Sequence, residues 1–182
     1  MHNQDDTRKF TAKDGRIVTL RPVAMEDAHD IITAAESVVQ TGIYIQKERV
    51  RTLDEEQSFI LEMKEKNNMY TAIEIDGKVA GIARVLRGEL QMKRHTGLFR
   101  TWITSSGQGL GIGKEVMAYT LDWCRGHRLH KLCLTVFKSN EVAVKLYEKA
   151  GFAVEGIQKE QAYLNGVYDD EIHMAYFFNK AE

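Results

Sequence analysis

A glycine-rich stretch in the middle of the chain constrains the fold more than any other feature. Residues 108–113 carry glycine at every second position and stand between a strand-like segment and a long amphipathic pattern. The first backbone N–H groups of a helix have no partner within it, and the helix dipole makes that end positive. Glycine lets the main chain approach an anion without an intervening Cβ. The pattern predicts a strand–loop–helix unit that either holds a phosphate group or is a glycine-rich turn without a ligand.

The spacing of the glycines excludes the two commonest phosphate-binding motifs. A P-loop needs glycine where this chain has Gln108, and serine or threonine where it has Glu115. A dinucleotide-binding fingerprint needs the spacing G-x-G-x-x-G, whereas Gly109, Gly111 and Gly113 are two residues apart throughout. A phosphate site here would therefore be of another kind.

Hydrophobic periodicity places helices and strands along the rest of the chain. Strands are predicted at residues 17–22, 70–75, 78–86, 94–103, 131–137, 152–164 and 168–177. Helices are predicted to begin near Glu26, at the capping box of residues 52–55, after Gly113 and at Asn140. Asp76-Gly77 and Asn165-Gly166 each join two strand-like runs, which is a strong signal for a tight hairpin. This order predicts an α/β domain built on a mixed sheet.

Length and charge favour one soluble domain. We expect residues 1–14 to form a flexible arm and residues 15–182 to form a single domain. The formal net charge of −1 gives no reason to expect nucleic acid or a membrane surface as a partner. No stretch approaches the ~20 apolar residues of a membrane span, and the first residues lack a signal-peptide pattern. We therefore expect a cytoplasmic protein in which Cys124 and Cys133 are buried thiols.

Four blocks of sequence, in order along the chain, carry a resemblance to one family. Gln108-x-x-Gly111-x-Gly113 resembles the (Gln/Arg)-x-x-Gly-x-(Gly/Ala) signature of the GNAT acetyltransferases. Residues 134–152 resemble the second conserved block of that superfamily. Residues 155–174 resemble the C-terminal hairpin of the branch that acetylates amino acids, polyamines and ribosomal-protein N-termini, and residues 20–28 resemble a common opening. The resemblance spans roughly residues 16–178 and implies a mixed, mostly antiparallel sheet flanked by helices, with splayed strands forming an acyl-CoA slot.

The resemblance implies acetyl-CoA as the co-substrate. The backbone amides that would bind its pyrophosphate are those of Gln108, Gly109, Leu110, Gly111, Ile112 and Gly113. The pantetheine arm would lie between the strand at Thr101, Trp102 and Ile103 and the strand at residues 131–137, bonded to main chain as to a strand edge. Asn140 would reach the same arm, although asparagine also suits a helix N-cap, and both interpretations stay open. No metal is expected.

The implied enzyme is an N-acetyltransferase in which a primary amine attacks the thioester directly. Tyr147 is the candidate acid for the leaving sulfur, because tyrosine keeps its proton at neutral pH; the other interpretation is that Tyr147 fills an apolar helix stripe. A backbone N–H near Trp102 or Ile103 is the expected oxyanion donor. Leu98 and Arg100 stand where many relatives have glutamate and glycine. The candidates left for a base are Glu74, His95, Asp170 and His173.

The acceptor stays open at this level. An amino acid, a polyamine, an aminoglycoside-like compound and a protein N-terminus are all compatible with the resemblance. The alternative function is a non-catalytic acyl-CoA-binding regulatory module, which the loss of glutamate at Leu98 favours slightly. The sequence does not decide whether the protein forms a homodimer, or on which face of the sheet Trp102 lies. Arg21 could contact the substrate or form a structural ion pair.

Overall fold

The computed structural model describes residues 6–41, 44 and 49–178, which form one eight-stranded sheet with four helices. The strands are β1 (Arg8–Thr11), β2 (Ile17–Pro22), β3 (Met69–Ile75), β4 (Lys78–Arg87), β5 (Thr96–Ile103), β6 (Lys131–Phe137), β7 (Ala153–Leu164) and β8 (Val167–Phe177). The helices are α1 (Ala28–Thr41), α2 (Leu53–Glu65), α3 (Ile112–Gly126) and α4 (Glu141–Lys149). The strand order is β1-β2-β3-β4-β5-β6-β8-β7, and β5 with β6 is the parallel pair. The predicted fold class is confirmed.

Local signals in the sequence account for most element boundaries. Thr52 Oγ1 accepts a hydrogen bond from Glu55 N, and the Glu55 carboxylate accepts one from Thr52 N, so the predicted capping box begins α2. Asp76 and Gly77 have φ values of 50° and 78°, as a type I′ hairpin turn requires. The predicted Asn165-Gly166 turn likewise has two positive φ values and joins β7 to β8.

The two faces of the sheet pack against different helices. Side chains alternate along each strand, so Ile82 and Ala83 of β4 point to opposite faces. Ile82 packs in a cluster with Ile31 of α1 and Ile60 of α2. Ala83 belongs to the larger cluster, which includes buried residues of α3 such as Val116. Trp102 packs against the first cluster, which settles its orientation: it lies on the α1–α2 face.

The sheet is interrupted between β5 and β6. The strands pair only through Thr96 with Lys131, Gly97 with Leu132 and Leu98 with Cys133, and then separate. β4 continues to pair with β5 as far as Ile103, and β8 pairs with the whole of β6. The separation therefore opens a gap inside the sheet, not at its edge.

The N-terminal segment differs from the expected arm. Residues 1–5 and 179–182 lie outside the described part, but Arg8–Thr11 forms β1, which pairs with β2. Ala12 is 6% exposed, and Lys13 N donates to Leu110 O at 3.2 Å. The segment is held because it adds a strand and buries an apolar side chain, neither of which its polar composition indicates.

Cys124 and Cys133 are both free thiols, but only Cys124 is buried as predicted, whereas Cys133 is half-buried. Burial raises the pKa of Cys124 to about 12 and also raises that of Cys133. Within the described ranges, no helix combines the length and the apolar character that crossing a bilayer requires.

Candidate functional site

A cavity of about 630 Å³ lies where β5 and β6 separate, and α1 and α4 contribute to its walls. Six of the predicted site residues line it: Thr101, Trp102, Ile103, Gln108, Asn140 and Tyr147. The other five are in the adjoining loop and the first turn of α3: Gly109, Leu110, Gly111, Ile112 and Gly113. The fold thus brings the predicted residues to one gap and its mouth.

The backbone of β5 presents hydrogen-bonding groups to this gap. Thr104 N donates to Ala80 O at 2.8 Å, just beyond the end of β5. Ladder bonds alternate along antiparallel strands, so the even-numbered residues of β5 bond to β4. The backbone groups of Phe99, Thr101 and Ile103 therefore turn toward the gap. Trp102 and Ile103 were the two expected oxyanion donors. By this alternation, the N–H of Ile103 faces the cavity and that of Trp102 does not.

The glycine-rich loop has the conformation that its sequence requires. Gly109 and Gly111 have φ values of 75° and 81°, in the left-handed region where a Cβ is strained. Gly111 is the N-cap of α3 and has no side chain to cap it, so the first N–H groups of the helix have no side-chain capping partner within the described part of the chain. A Cβ on Gly113 would lie 3.1 Å from Leu146 Cδ2, which shows how closely the start of α3 packs on α4. These features fit a bound anion such as a pyrophosphate.

Lys13 is a neighbour of this loop that the sequence did not indicate. A Cβ added to Gly111 would lie 3.4 Å from Lys13 Cε. The amine-bearing side chain is exposed beside the start of α3. No local pattern pointed to Lys13, because its placement depends on the pairing of β1 with β2.

Asn140 is an N-cap and also a cavity residue. Its Oδ1 accepts a hydrogen bond from Ala143 N at 3.3 Å at the start of α4. The side-chain NH₂ group donates to no residue in the described part of the chain. Both interpretations of Asn140 drawn from the sequence are therefore compatible.

Tyr147 lies on the cavity wall with a buried ring. The residue is 9% exposed, and its ring contacts those of Phe99 and Phe152. The hydroxyl group has no hydrogen-bond partner among the described residues. Burial raises the pKa of Tyr147 to about 12, although the charge of Arg100 acts in the opposite direction. Tyr147 is therefore protonated at neutral pH and is available as a donor to a ligand.

The four base candidates named from the sequence do not line the cavity. Glu74 accepts two hydrogen bonds from Arg21 Nε, and Asp170 accepts one from Lys159 at 2.8 Å. His95 lies beside the ring of His130 with centroids 6.0 Å apart. The remaining candidate, His173, lies on β8.

Arg21 is part of a structural ion pair. Its two terminal nitrogens donate to the two carboxylate oxygens of Asp27, both at 2.7 Å. Arg21 does not line the cavity, so it is not placed to contact a substrate bound there. Of the two alternatives drawn from the sequence, the structural one holds.

The structure also places a buried carboxylate in the cavity wall. Glu56 is 2% exposed, and its oxygens accept hydrogen bonds from Arg51 Nη1 at 2.9 Å and from the Tyr70 hydroxyl. The sequence could have indicated this burial, because helical spacing places Glu56 on the same side of α2 as the buried residues Ile60 and Met63. Among the described residues, no group of three or more potential metal ligands occurs.

The chain matches a family model described as the acetyltransferase (GNAT) family over residues 34–152. It is 32% identical over 102 residues to the L-amino acid N-acetyltransferase AaaT of Escherichia coli (strain K12). This match covers 56% of this chain and 63% of that protein, which is less than two thirds of its length. It is 25% identical over 161 residues to the spermidine N(1)-acetyltransferase of the same organism, covering 88% of this chain and 86% of that protein.

Two solved structures share the fold. A GNAT acetyltransferase from Streptococcus pneumoniae superposes with a TM-score of 0.82 at 24% identity, covering 88% of this chain and 99% of that one. YncA from Salmonella typhimurium, solved with its cofactor acetyl-CoA, superposes with a TM-score of 0.81 at 18% identity, covering 90% and 95%.

Proposed function

The chain belongs to the GNAT acetyltransferase family, and from this premise we propose that it transfers the acetyl group of acetyl-CoA to a primary amine by direct attack on the thioester. Family membership confirms the predicted enzyme class and co-substrate. The observation that carries the proposal for this chain is the gap between β5 and β6. The backbone edge of β5 that faces away from β4 lies on the same cavity as the Tyr147 hydroxyl, which has no hydrogen-bond partner among the described residues.

The proposed site for acetyl-CoA uses main-chain groups for most of its contacts. The pyrophosphate binds at the glycine-rich loop and the first turn of α3, where Gly109 and Gly111 keep the backbone accessible. The pantetheine arm occupies the gap and bonds to the odd-numbered residues of β5, in the manner of an added strand. The free NH₂ group of Asn140 donates to the same arm.

The chemistry of acyl transfer assigns roles to two groups on the cavity wall. Attack of the amine on the carbonyl carbon places negative charge on oxygen, and the N–H of Ile103 is positioned to stabilise it. The C–S bond then breaks. Tyr147 gives its proton to the leaving sulfur, and the proton that the amine loses restores the tyrosine hydroxyl through water; the raised pKa of Tyr147 keeps it protonated until that moment.

The amine must lose a proton to become a nucleophile. A lysine-like amine has a pKa of about 10.4 and is mostly ammonium at neutral pH. Both oxygens of Glu56, the acidic side chain on the described cavity wall, are already hydrogen bonded. We therefore assign deprotonation to water in the cavity and not to a dedicated base.

Ligand-dependent thermal stability tests the proposal first. Acetyl-CoA at a hundred times its Kd should stabilise the folded protein by about 2.7 kcal/mol, whereas ATP and NAD at the same concentration should not. Release of free thiol in the presence of amines then tests transfer. A larger shift with ATP or NAD would contradict the co-substrate site. A shift with acetyl-CoA but no thiol release with any amine would favour the non-catalytic acyl-CoA-binding module.

A further inference from the structure

Three side chains from neighbouring strands form a polar row on the cavity wall. Tyr70 of β3 pairs directly with Arg84 of β4, and Arg84 pairs directly with Arg100 of β5. Directly paired residues project to the same face, and all three line the cavity. Like charges opposite each other destabilise a sheet, so the two guanidinium groups require a compensating negative charge.

Glu56 does not provide this compensation in full. It is the acidic side chain of the described cavity wall, facing three arginines: Arg51, Arg84 and Arg100. Its carboxylate forms an ion pair with Arg51, whose guanidinium also stacks on the Phe59 ring at 3.7 Å. One carboxylate and one guanidinium thus neutralise each other, and two positive charges remain.

Neither remaining arginine has an acidic partner among the described residues. Arg100 Nη1 donates to the neutral hydroxyl of Thr135 at 2.8 Å. Arg84 has a ring contact with Phe59 at 5.3 Å, and its Nε atom is buried without a hydrogen-bond partner in the described part. Burial first, and then the charge of Arg51, lowers the pKa of Arg84. A half-buried cation held in this way is costly unless a ligand pairs with it.

These cations lie away from the proposed phosphate site. Arg100 is three residues before Ile103, about 10 Å along β5, and the glycine-rich loop comes after the end of that strand. Arg100 Nη1 bonds across the gap to Thr135 of β6, and the neighbouring Phe99 contacts the Tyr147 ring, so Arg100 lies on the part of the cavity wall next to the proposed acid. An anion bound here would belong to the acceptor and not to the phosphates of coenzyme A.

We propose that the acceptor is a small amine that also carries an anionic group, with a free α-amino acid as the simplest case, and that Arg84 and Arg100 bind that group. The inference rests on the proposed function, because it describes the acceptor side of the same site. The two unpaired cations select against polyamines, which would bring further positive charge to the same wall.

The test measures acceptor binding and acetyl transfer separately. Calorimetry on the protein saturated with coenzyme A measures binding of the twenty standard amino acids, of spermidine and of the carboxamide of each amino acid that binds. The carboxamide keeps the amine and the side chain but lacks the anion. Thiol release from acetyl-CoA is measured with the same compounds. Arg84→Gln is compared with Arg87→Gln, which removes another half-buried arginine of β4 that lies outside the cavity wall.

At least one amino acid is expected to bind about ten- to a hundredfold more tightly than its carboxamide and than spermidine. Arg84→Gln should remove this difference by weakening binding of the acid alone, whereas Arg87→Gln should preserve it. Unliganded Arg84→Gln should be at least as thermally stable as the parent protein, because it loses an unpaired cation. A purely structural arginine would give a less stable variant.

Equal binding of acid and carboxamide, tighter binding of spermidine, or no binding of any amino acid would each overturn the inference. Transfer to spermidine with no preference for acids would do so while leaving the proposed function intact. Selective binding of an amino acid without thiol release would support the inference and contradict the proposed function.

Discussion

The rings of Tyr147 and Phe99 meet edge to face, with centroids 6.4 Å apart and an angle of 84° between their planes. The contact fixes the Tyr147 ring from the β5 side, and Phe152 contacts it with a centroid distance of 5.9 Å. Packing therefore orients the ring, while the hydroxyl group contributes no hydrogen bond within the described part of the chain. Phenylalanine can keep this packing and lose only the donor.

Tyr147→Phe is expected to lower kcat by about a hundredfold or more, which is the usual range for loss of a positioned acid. The Kd for acetyl-CoA and the free energy of unfolding should change little, since no protein hydrogen bond is removed. Thiol-release kinetics and thermal unfolding measure the two effects. An unchanged kcat would contradict the proposed role of Tyr147.

Gly111→Ala should weaken both the loop and the co-substrate site. A residue with a Cβ at a φ of 81° costs about 1–2 kcal/mol, and the loop would relax to avoid that cost. We expect a Kd for acetyl-CoA raised about tenfold, measured by calorimetry. Gly126→Ala is the matched control, because an added Cβ there contacts nothing within 4 Å and its φ is not positive. Equal effects of the two variants would exclude a special role for the loop.

Two substitutions of Asn140 should separate its two roles. Asn140→Ala removes the N-cap of α4 and should lower the free energy of unfolding by about 1 kcal/mol, in addition to weakening acetyl-CoA binding. Asn140→Asp keeps an oxygen for Ala143 N but loses the NH₂ donor, so stability should be retained while the Kd rises. Chemical denaturation and calorimetry are the measurements. Full affinity in Asn140→Asp would leave only the capping role.

The Arg21–Asp27 pair predicts an acid-sensitive stability. Burial opposes ionisation of Asp27, but hydrogen bonds from Arg21 and Ala24 N hold its pKa below the usual 3.8. A depressed pKa contributes stability above the unfolded value, and the contribution is lost as pH falls through the folded pKa. Asp27→Asn should therefore cost about 1.5–3 kcal/mol at pH 7, and the difference from the parent protein should start to shrink below about pH 4 and disappear only below the folded pKa of Asp27.

Asp122→Asn is the matched control for that series. Asp122 also pairs with arginines, but its side chain is 55% exposed, so its loss should cost no more than about 1 kcal/mol. Denaturant unfolding at several pH values compares the two. A difference for Asp27→Asn that persists undiminished at pH 3 would show that charge is not its source.

Most elements could be predicted because their signals are local. The hairpin at Asp76-Gly77, the capping box at Thr52 and the β6 boundaries depend on turn geometry, capping and periodicity within a few residues. β1 was not predicted. Its polar residues become a strand only by pairing with β2, and no short-range pattern reports such pairing.

The residues of the candidate site likewise differ in whether local sequence signals could identify them. The glycine-rich loop, Asn140 and Tyr147 belong to contiguous motifs, so the sequence alone could name them as candidates. Arg84 and Glu56 line one cavity only because α2 packs over β3 and brings Phe59 against Arg84, so their shared cavity is a tertiary property. The helical spacing of Glu56 from Ile60 and Met63 could have indicated its burial. That Arg84 lies beside Arg100 follows only from the pairing register of β4 and β5, which the sequence does not reveal.

The short pairing between β5 and β6 has a mechanical consequence. Within the sheet, β5 and β6 are paired through only three residue pairs, and from Leu98 to Ile103 β5 extends about 16 Å beyond that seam. A lever of this length converts a rotation of about 5° at the seam into a displacement of about 1.4 Å at the mouth. We therefore expect a small change in the angle between β5 and β6 at the seam to alter the width of the gap at its mouth.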